Sequence, residues 1–330
     1  MTRLIALLLL GVLLVRGTPA TAEAVGAAAM RKASLALLWQ PQAQFAGYLV
    51  ALDKGLYRRR GIDLTIVHGG PGRSPADLLR DGEAEFATLW LATALQHRGA
   101  GLPVINIAQI SQRSSMVLVA RKSAGIATVE DLADRKISLW GGDLAVAPRA
   151  FLDRHRLSVQ SVSQSDTVNL FLRGGVQIAS AMWYNEYHLI LNAGVDADEL
   201  TVFRLDGDGF NFPEDGLYTL AATIERDPAL VDGFVRASLE GWDYAIAHPE
   251  EALDIVLGRM REAKLPANRV HQKWMLAQMA AVIRTDGTGA VTGQLKRNDL
   301  AGVVDELQRT ELLQAVIGYD EFTRPPNVAP

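Results

Sequence analysis

Three side chains suited to ligand recognition stand close together in the segment WQPQAQ, residues 39–44, directly before an apolar helical run. Trp39 offers a flat apolar face, while Gln42 and Gln44 each offer hydrogen-bond donors and an acceptor. The first turn of the following helix leaves backbone N–H groups free. This combination suits a planar heteroaromatic ring. A core Trp39 beside two solvated glutamines would explain the same residues equally well.

A second group follows the apolar run SAM, where Tyr184, Asn185, Glu186 and Tyr187 succeed one another. A carboxylate between aromatic rings can accept paired, charge-assisted N–H bonds from an amino-substituted ring. Aromatic faces add stacking of about 1 kcal/mol each. The other interpretation is a helix start, with Glu186 favoured by the helix dipole. We favour a binding site because aromatic residues are dense here.

Two glycine-containing turns are weaker candidates. In SLWGGDLAVAP, residues 138–148, Trp140 ends a strand, and Gly141 and Gly142 permit close approach of backbone to a ligand. Taken alone, such a pair is more typical of a plain turn. The turn GGPGRSP, residues 69–75, precedes a helix but lacks the Lys-Ser/Thr ending of a phosphate-binding loop.

Several kinds of chemistry are disfavoured by composition. The chain has no cysteine, so thiolate metal sites, cysteine nucleophiles and disulfides are excluded. Its six histidines lack metal-ligand spacing, and no Gly-x-Ser-x-Gly elbow occurs. A net charge of -4 argues against nucleic acid as a partner. We therefore expect no catalytic residue, no metal and no cofactor.

The first residues predict export. A basic start precedes the apolar run Leu4 to Val15, and small residues follow at Ala20 and Ala22. This is typical of a cleaved secretory signal peptide over residues 1–22. The alternative is an uncleaved anchor, but the run is shorter than the roughly 20 residues that span a bilayer. We expect a soluble periplasmic protein.

Short apolar runs alternate with longer amphipathic ones, which predicts an α/β fold with mostly parallel sheets. Helices are expected at residues 47–59, 74–81, 146–155 and from Pro228 onwards, with a break at His248-Pro249. Strands are expected at residues 34–39, 64–69, 85–90, 104–110, 116–121, 136–141, 177–183 and 217–223.

The chain is longer than one core usually organises, which predicts two domains. We expect lobe I at residues 33–119 plus 222–315, lobe II at 120–221, and a tail at 316–330 that ends in the disordered segment RPPNVAP. Ligands of α/β sheets sit beyond the carboxyl ends of the strands. In two lobes, those ends can face each other across a cleft.

These blocks together resemble the NMT1/THI5-like family of periplasmic substrate-binding proteins. The resemblance rests on WQPQAQFAGYLVALDKGLYRRRGIDLTIVHGG, DGEAEFAT, VINIAQISQRSSMVLVARKSAGIATVEDLADRKISLWGG, YNE and ALVDGFVRASLEGWDYAIAHPEEAL. It implies a two-lobed type II periplasmic-binding-protein fold that closes by a hinge. It also implies a monomer that delivers its ligand to an inner-membrane ABC permease. A sensory module that signals to a membrane kinase is an alternative.

The resemblance implies a small N-heterocycle as ligand, first a thiamine pyrimidine precursor of the hydroxymethylpyrimidine type. Binders of such precursors carry Trp-x-Pro-Asn-x-Asn and a downstream Glu, which corresponds to Glu186. Gln42 and Gln44 depart from the asparagines, and Phe45 stands where that group tends to have His. This departure leaves a riboflavin-type ligand open.

Other branches of the family are also alternatives. Nitrate, sulfonate and taurine binders need a cation in the cleft, for which Arg113 is the candidate. The pyrimidine synthase branch depends on a cysteine cluster that this chain lacks, so we do not expect an enzyme. The expected ligand-binding residues are Trp39, Gln42, Gln44, Phe45, Trp90, Gln112, Trp140, Gly141, Gly142, Tyr184, Asn185, Glu186 and Tyr187.

Overall fold

The structure is a computed structural model that describes residues 30–70, 72–207, 211–285 and 291–326. The signal peptide predicted over residues 1–22 lies outside these ranges. The strands are β1 Arg31–Ala36, β2 Ile62–Val67, β3 Phe86–Trp90, β4 Val104–Gln109, β5 Met116–Arg121, β6 Lys136–Leu139, β7 Gln160–Ser163, β8 Ile178–Met182, β9 Leu200–Arg204 and β10 Asp215–Leu220. The helices are α1 Ala46–Asp53, α2 Pro75–Arg80, α3 Leu91–Gly99, α4 Val146–Arg154, α5 Asn169–Leu172, α6 Glu186–Asn192, α7 Ala221–Arg226, α8 Pro228–Ala247, α9 Pro249–Glu262, α10 Arg269–Ile283, α11 Arg297–Arg309 and α12 Tyr319–Phe322.

The strands form two five-stranded sheets. Sheet A has the order β2-β1-β3-β10-β4, and sheet B has the order β7-β6-β8-β5-β9. In sheet A, β1 is parallel to β2 and β3, whereas β10 is antiparallel to both of its neighbours. In sheet B, β5 is the strand that runs antiparallel to its neighbours. The predicted α/β class and the two-lobed type II architecture are confirmed.

The strand pairing shifts the expected points at which the chain passes between the sheets. The division after residue 119 cuts through β5 and leaves its first four residues in the first lobe, but the whole strand pairs with β8 and β9 of sheet B. The division after residue 221 placed β10 in the second lobe, but β10 pairs with β3 and β4 of sheet A. The chain therefore passes between the sheets twice, between β4 and β5 and again between β9 and β10. Such long-range pairing leaves no signal in a local sequence pattern.

Central strands are buried on both faces, which is typical of parallel sheets. Every residue of β3 and of β8 is buried. The predicted break at His248-Pro249 is confirmed: α8 ends at Ala247 and α9 begins at Pro249. Proline is tolerated at this first helical position because it needs no intrahelical donor there.

The main core lies around sheet A, where α1 and α8 pack in close contact. Gly47 and Gly241 permit this approach, since a Cβ on Gly241 would lie 2.2 Å from the carbonyl oxygen of Gly47. Next to them, the rings of Phe86 and Phe234 stack with centroids 3.8 Å apart. A smaller cluster belongs to sheet B and includes Phe171, Tyr187 and Ile190.

The tail is ordered further than the sequence predicts. Phe322 is fully buried, and the backbone N–H of Arg324 donates to Asn106 O at 2.8 Å. The expected disordered end RPPNVAP is therefore wrong for Arg324 to Pro326, while residues 327–330 lie outside the described ranges. Within those ranges, no helix has the length and apolar character needed to cross a membrane.

Candidate ligand-binding site

A cavity of about 610 Å³ lies between the two sheets. Its walls come from loops after β1, β2 and β3 in sheet A and after β6, β7 and β8 in sheet B. All six are carboxyl ends of parallel strands, where ligands of open α/β sheets bind. The lining residues are Leu38, Trp39, Gln42, Gln44, Gly70, Gly72, Arg73, Ser74, Pro75, Asp77, Leu89, Trp90, Thr93, Trp140, Gly141, Leu144, Asp166, Met182, Tyr184, Asn185 and Glu186.

The cavity brings together most of the expected binding residues. The loop after β1 and the end of β3 contribute Trp39, Gln42, Gln44 and Trp90 from sheet A, and the loops after β6 and β8 contribute Trp140, Gly141, Tyr184, Asn185 and Glu186 from sheet B. Indole, phenol, amide and carboxylate groups from two distant parts of the chain thus surround one space.

Four expected residues lie elsewhere. Phe45 is fully buried in the main core, and Gly142 sits in the turn after β6 without lining the cavity. Tyr187 stacks on Trp183 at 4.1 Å and belongs to the core of sheet B. Gln112 lies in the first chain crossing, where its Nε2 donates to Gln109 O at 2.8 Å. Phe45, Tyr187 and Gln112 are held by packing or by a backbone hydrogen bond, which a local pattern does not reveal.

The mouth of the cavity contains charged residues that the sequence analysis did not select. Arg73, Asp77 and Asp166 line the cavity. Arg73 and Asp166 are exposed, whereas the side chains deeper inside, such as Trp90 and Tyr184, are buried. The sequence contained an indication of Arg73, because this residue belongs to the glycine-rich turn after β2, residues 69–75. Arg113, the candidate for an anion site, instead pairs with Asp206 at 3.1 Å.

A chain of hydrogen bonds fixes the two glutamines on the sheet A side. Gln44 Nε2 donates to Asp215 Oδ2 at 2.7 Å, and Gln42 Nε2 donates to Gln44 Oε1 at 2.7 Å. Asp215 begins β10 and is 3% exposed. An ionised carboxylate can only accept hydrogen bonds, so Asp215 requires the NH₂ end of the Gln44 amide to face it.

A second chain fixes the carboxylate on the sheet B side. Glu186 Oε2 accepts from the backbone N–H of Met182 at 2.8 Å, and its Oε1 accepts from Asn185 Nδ2 at 2.7 Å. Each oxygen retains a further lone pair for a ligand N–H. The Asn185 amide is fixed in turn, because its Oδ1 lies 2.8 Å from His271 Nε2.

Helix α10 holds both walls of the cavity. Towards sheet A, Gln272 Oε1 accepts from the backbone N–H of Ala43 at 2.7 Å. Towards sheet B, Trp274 Nε1 donates to Trp183 O at 3.0 Å, and His271 contacts Asn185. Helical structure is expected from the sequence after Pro228, but a role of α10 at the site is not. Neighbouring residues of one helix thus position the loops of both sheets.

Burial raises the pKa of the carboxyl groups around the cavity. The pKa of Asp215 rises to about 6, although the hydrogen bond from Gln44 and the neighbouring Trp90 indole oppose the rise. Burial raises the pKa of Glu186 above its ordinary value, and it raises the pKa of Glu214 to about 8. Burial, together with the nearby His188, lowers the pKa of His271 to about 4. The site therefore contains carboxyl groups that take up protons near neutral pH.

The arrangement suits binding of an uncharged planar ring. Among the described residues, no group of His, Asp and Glu is arranged to hold a metal ion. The aromatic side chains can stack on a ring, while the amides and Glu186 can hydrogen-bond to its edge.

Solved structures show the class of fold. The periplasmic aliphatic sulphonate binding protein SsuA from Escherichia coli superimposes with a TM-score of 0.70 at 16% identity, covering 91% of this chain and 94% of that one. The two-sheet architecture described above is thus the periplasmic-binding-protein fold.

Sequence comparison shows the family. Residues 42–252 match the family described as NMT1/THI5 like. The riboflavin-binding protein RibY from Chloroflexus aurantiacus is 30% identical over an alignment of 266 residues, which covers 75% of this chain and 74% of RibY. The formylaminopyrimidine-binding protein from Halalkalibacterium halodurans is 22% identical, covering 72% of this chain and 73% of that protein. The chain belongs to the NMT1/THI5-like family, as its sequence blocks predict.

Proposed function

We propose that the protein is the periplasmic substrate-binding component of an ABC importer, which captures a planar N-heterocycle and delivers it to an inner-membrane permease. One observation carries the proposal: aromatic, amide and carboxylate side chains from both sheets surround a single cavity at the carboxyl ends of the strands. Family membership and relatives named as binding proteins support it.

A riboflavin-type flavin is the ligand that we favour. The cavity of about 610 Å³ falls within the range of roughly 300–1,000 Å³ usual for drug-sized ligands. Three indoles and a phenol, from Trp39, Trp90, Trp140 and Tyr184, supply enough aromatic surface for a fused tricyclic ring. The polar mouth would receive the hydroxylated side chain of the flavin. The name of the 30% identical relative points the same way.

A thiamine pyrimidine precursor is the second candidate. Glu186 supports it, because a carboxylate with a free lone pair on each oxygen can accept N–H groups from an aminopyrimidine. The formylaminopyrimidine-binding relative is consistent with this choice. A single ring would leave much of the cavity to water, which is why we place it second.

Two other classes receive less support. An anion binder needs a cation in the cleft, but Arg113 is paired with Asp206 away from the cavity. At the mouth, Arg73 is accompanied by Asp77 and Asp166. The pyrimidine synthase chemistry expected for one branch of the family requires cysteines, and this chain has none.

The proposal is tested by titrating the purified mature protein with riboflavin, hydroxymethylpyrimidine, formylaminopyrimidine and thiamine. Binding is followed by tryptophan fluorescence, because indoles line the cavity. We expect saturable binding of riboflavin and recovery of the unchanged compound after denaturation. Tight binding of a pyrimidine alone would select the second candidate, whereas conversion of the ligand would identify an enzyme. Failure of all four compounds to bind would contradict the proposal.

A further inference from the structure

We propose that Asp215, which does not line the cavity, makes the cavity recognise an N–H of the ligand by fixing the orientation of the cavity-lining Gln44 and Gln42 amides. This inference rests on the proposed function, since it concerns how the cavity recognises a heterocycle. Asp215 is the first residue of β10 and pairs with Trp90 of β3 in the sheet. The cavity-lining Gln44 donates a hydrogen bond to its carboxylate.

The orientation follows from donor and acceptor chemistry. Ionised Asp215 offers only acceptors, so Gln44 must direct its NH₂ group towards Asp215 Oδ2. Gln44 Oε1 then faces Gln42 and accepts from its NH₂ group. This leaves the carbonyl oxygen of Gln42 free as an acceptor. An N–H at the edge of the ligand, which a flavin carries as its ring imide and an aminopyrimidine as its exocyclic amino group, is the complementary group.

The surroundings make Asp215 responsive to pH near neutrality. The titratable groups that act on this carboxylate are its neighbour Glu214 and the phenols of Tyr48, Tyr184 and Tyr218. None of these groups is cationic, and burial raises the pKa of Asp215 to about 6. Gln44 is 4% exposed, so its amide cannot replace the hydrogen bond to Asp215 with one to bulk water.

Protonation reverses the chain of hydrogen bonds. A neutral Asp215 carboxyl donates an O–H, and the amide of Gln44 lowers its energy by turning its oxygen towards that donor. The NH₂ group of Gln44 then faces Gln42, so the Gln42 amide must also turn and present its oxygen to Gln44. The cavity then exposes a donor where it exposed an acceptor, and the N–H of the ligand faces another donor. Affinity should therefore fall as pH decreases through about 6.

The experiment compares wild type, Asp215→Asn and the control Glu306→Gln. Asparagine keeps the shape of the protonated side chain and can donate to Gln44. Glu306 is a buried carboxylate on α11 that pairs with Arg309, away from the cavity. The dissociation constants of riboflavin and hydroxymethylpyrimidine are measured from pH 8 to pH 5. Glu186 and Glu214 are present in all three proteins, so the ratio to wild type isolates Asp215.

We expect Asp215→Asn to bind about tenfold more weakly than wild type at pH 8, which is the cost of roughly one charge-assisted hydrogen bond. The ratio of the Asp215→Asn dissociation constant to that of wild type should approach one at pH 5. The dissociation constants of Glu306→Gln should match those of wild type from pH 8 to pH 5. A ratio that is independent of pH, or that equals one at pH 8, overturns the inference.

A measurement without ligand separates this inference from the proposed function. In ¹⁵N-labelled protein, the side-chain NH₂ resonances of Gln42 and Gln44 should shift with a midpoint near pH 6 in wild type and should not shift in Asp215→Asn. If neither compound binds but these shifts occur, the proposed ligand class fails and the role of Asp215 in orienting the amides stands. If the resonances do not respond to pH, that role is refuted.

Discussion

His271 Nε2 lies 2.8 Å from Asn185 Oδ1, which joins α10 to the wall of the cavity formed by sheet B. The direction of this hydrogen bond is fixed. The NH₂ group of Asn185 is used by Glu186, so its oxygen must accept from the imidazole. In a neutral ring, His271 Nδ1 then carries a lone pair and lies 2.9 Å from His188 Nδ1. Glu186 is therefore held in place from a helix outside the cavity.

His271→Ala should weaken ligand binding by about tenfold, because Asn185 and Glu186 lose the group that orients them. His271→Gln should retain most of the affinity, since its NH₂ group can replace the ring N–H. Isothermal titration calorimetry measures both. His155→Gln, at an exposed histidine after α4, serves as control. Unchanged affinity in a folded His271→Ala protein would contradict this role.

Glu186→Gln should reduce affinity for the preferred heterocycle by roughly tenfold to a hundredfold, because a neutral amide cannot accept N–H bonds at both of its ends. Fluorescence titration at pH 8 measures the change. The exposed Glu240→Gln serves as control for the loss of one negative charge. If Glu186→Gln and wild type bind equally well, the carboxylate does not contact the ligand.

The contribution of Glu214 to stability should decrease as pH rises from about 4.5 to about 8. Burial raises the pKa of Glu214 from 4.5 to about 8, even though Ser114 Oγ and the backbone N–H of Ser115 donate to its Oε1. Between these values, Glu214 binds more protons in the folded state than in the unfolded state, so its contribution makes unfolding easier with increasing pH. Asp215 acts in the same direction, because its pKa is also raised.

Urea denaturation of wild type and Glu214→Gln at several pH values tests this expectation. The variant should show a smaller decrease in the free energy of unfolding between pH 5 and pH 8.5. The difference is on the order of a few kcal/mol, since one pKa unit corresponds to about 1.4 kcal/mol. A steeper decrease in the variant would show that the Glu214 carboxylate stabilises the folded state at high pH.

Two glycine substitutions should affect stability in opposite directions. In Gly241→Ala, the new methyl group would lie 2.2 Å from Gly47 O and 2.6 Å from the Cβ of Ala51, which forces α1 and α8 apart. We expect a loss of roughly 3 kcal/mol. In Gly258→Ala, on α9, the methyl group meets nothing within 4 Å. It should stabilise the protein by about 0.5–1 kcal/mol through helix propensity. Equal effects in thermal or urea unfolding would refute the close contact.

Periodicity predicted most of the strands, because central strands are apolar throughout and are bounded by turn residues. It missed β7 and β9, the edge strands of sheet B. In β7, with the sequence QSVS, three of four residues are exposed, so it shows no apolar face. The pairing of distant strands within one sheet could not be predicted either, because β10 pairs with β3 and β4, which lie more than a hundred residues earlier in the chain.

For the candidate site, sequence patterns identified aromatic and amide residues at strand ends but not the groups that orient them. Asp215 stands in the segment FPEDGLY, where a carboxylate would ordinarily face water. Its contact with Gln44 joins residues separated by 171 positions. His271 and Gln272 likewise looked like ordinary helix residues, because their partners are brought close only by the fold.

The strand order also determines how far each part of the mouth would travel in the hinge closure expected of this fold. Both chain crossings join one end of each sheet, at β4 and β10 in sheet A and at β5 and β9 in sheet B, whereas β2 and β7 lie at the far ends. Displacement grows with distance from an axis, so the loops with Arg73, Asp77 and Asp166 would move on the longest lever arms. Asp215 on β10 and its partner Gln44 would move least. A solute would therefore meet a ready-made inner wall first, and the charged rim would shut behind it last.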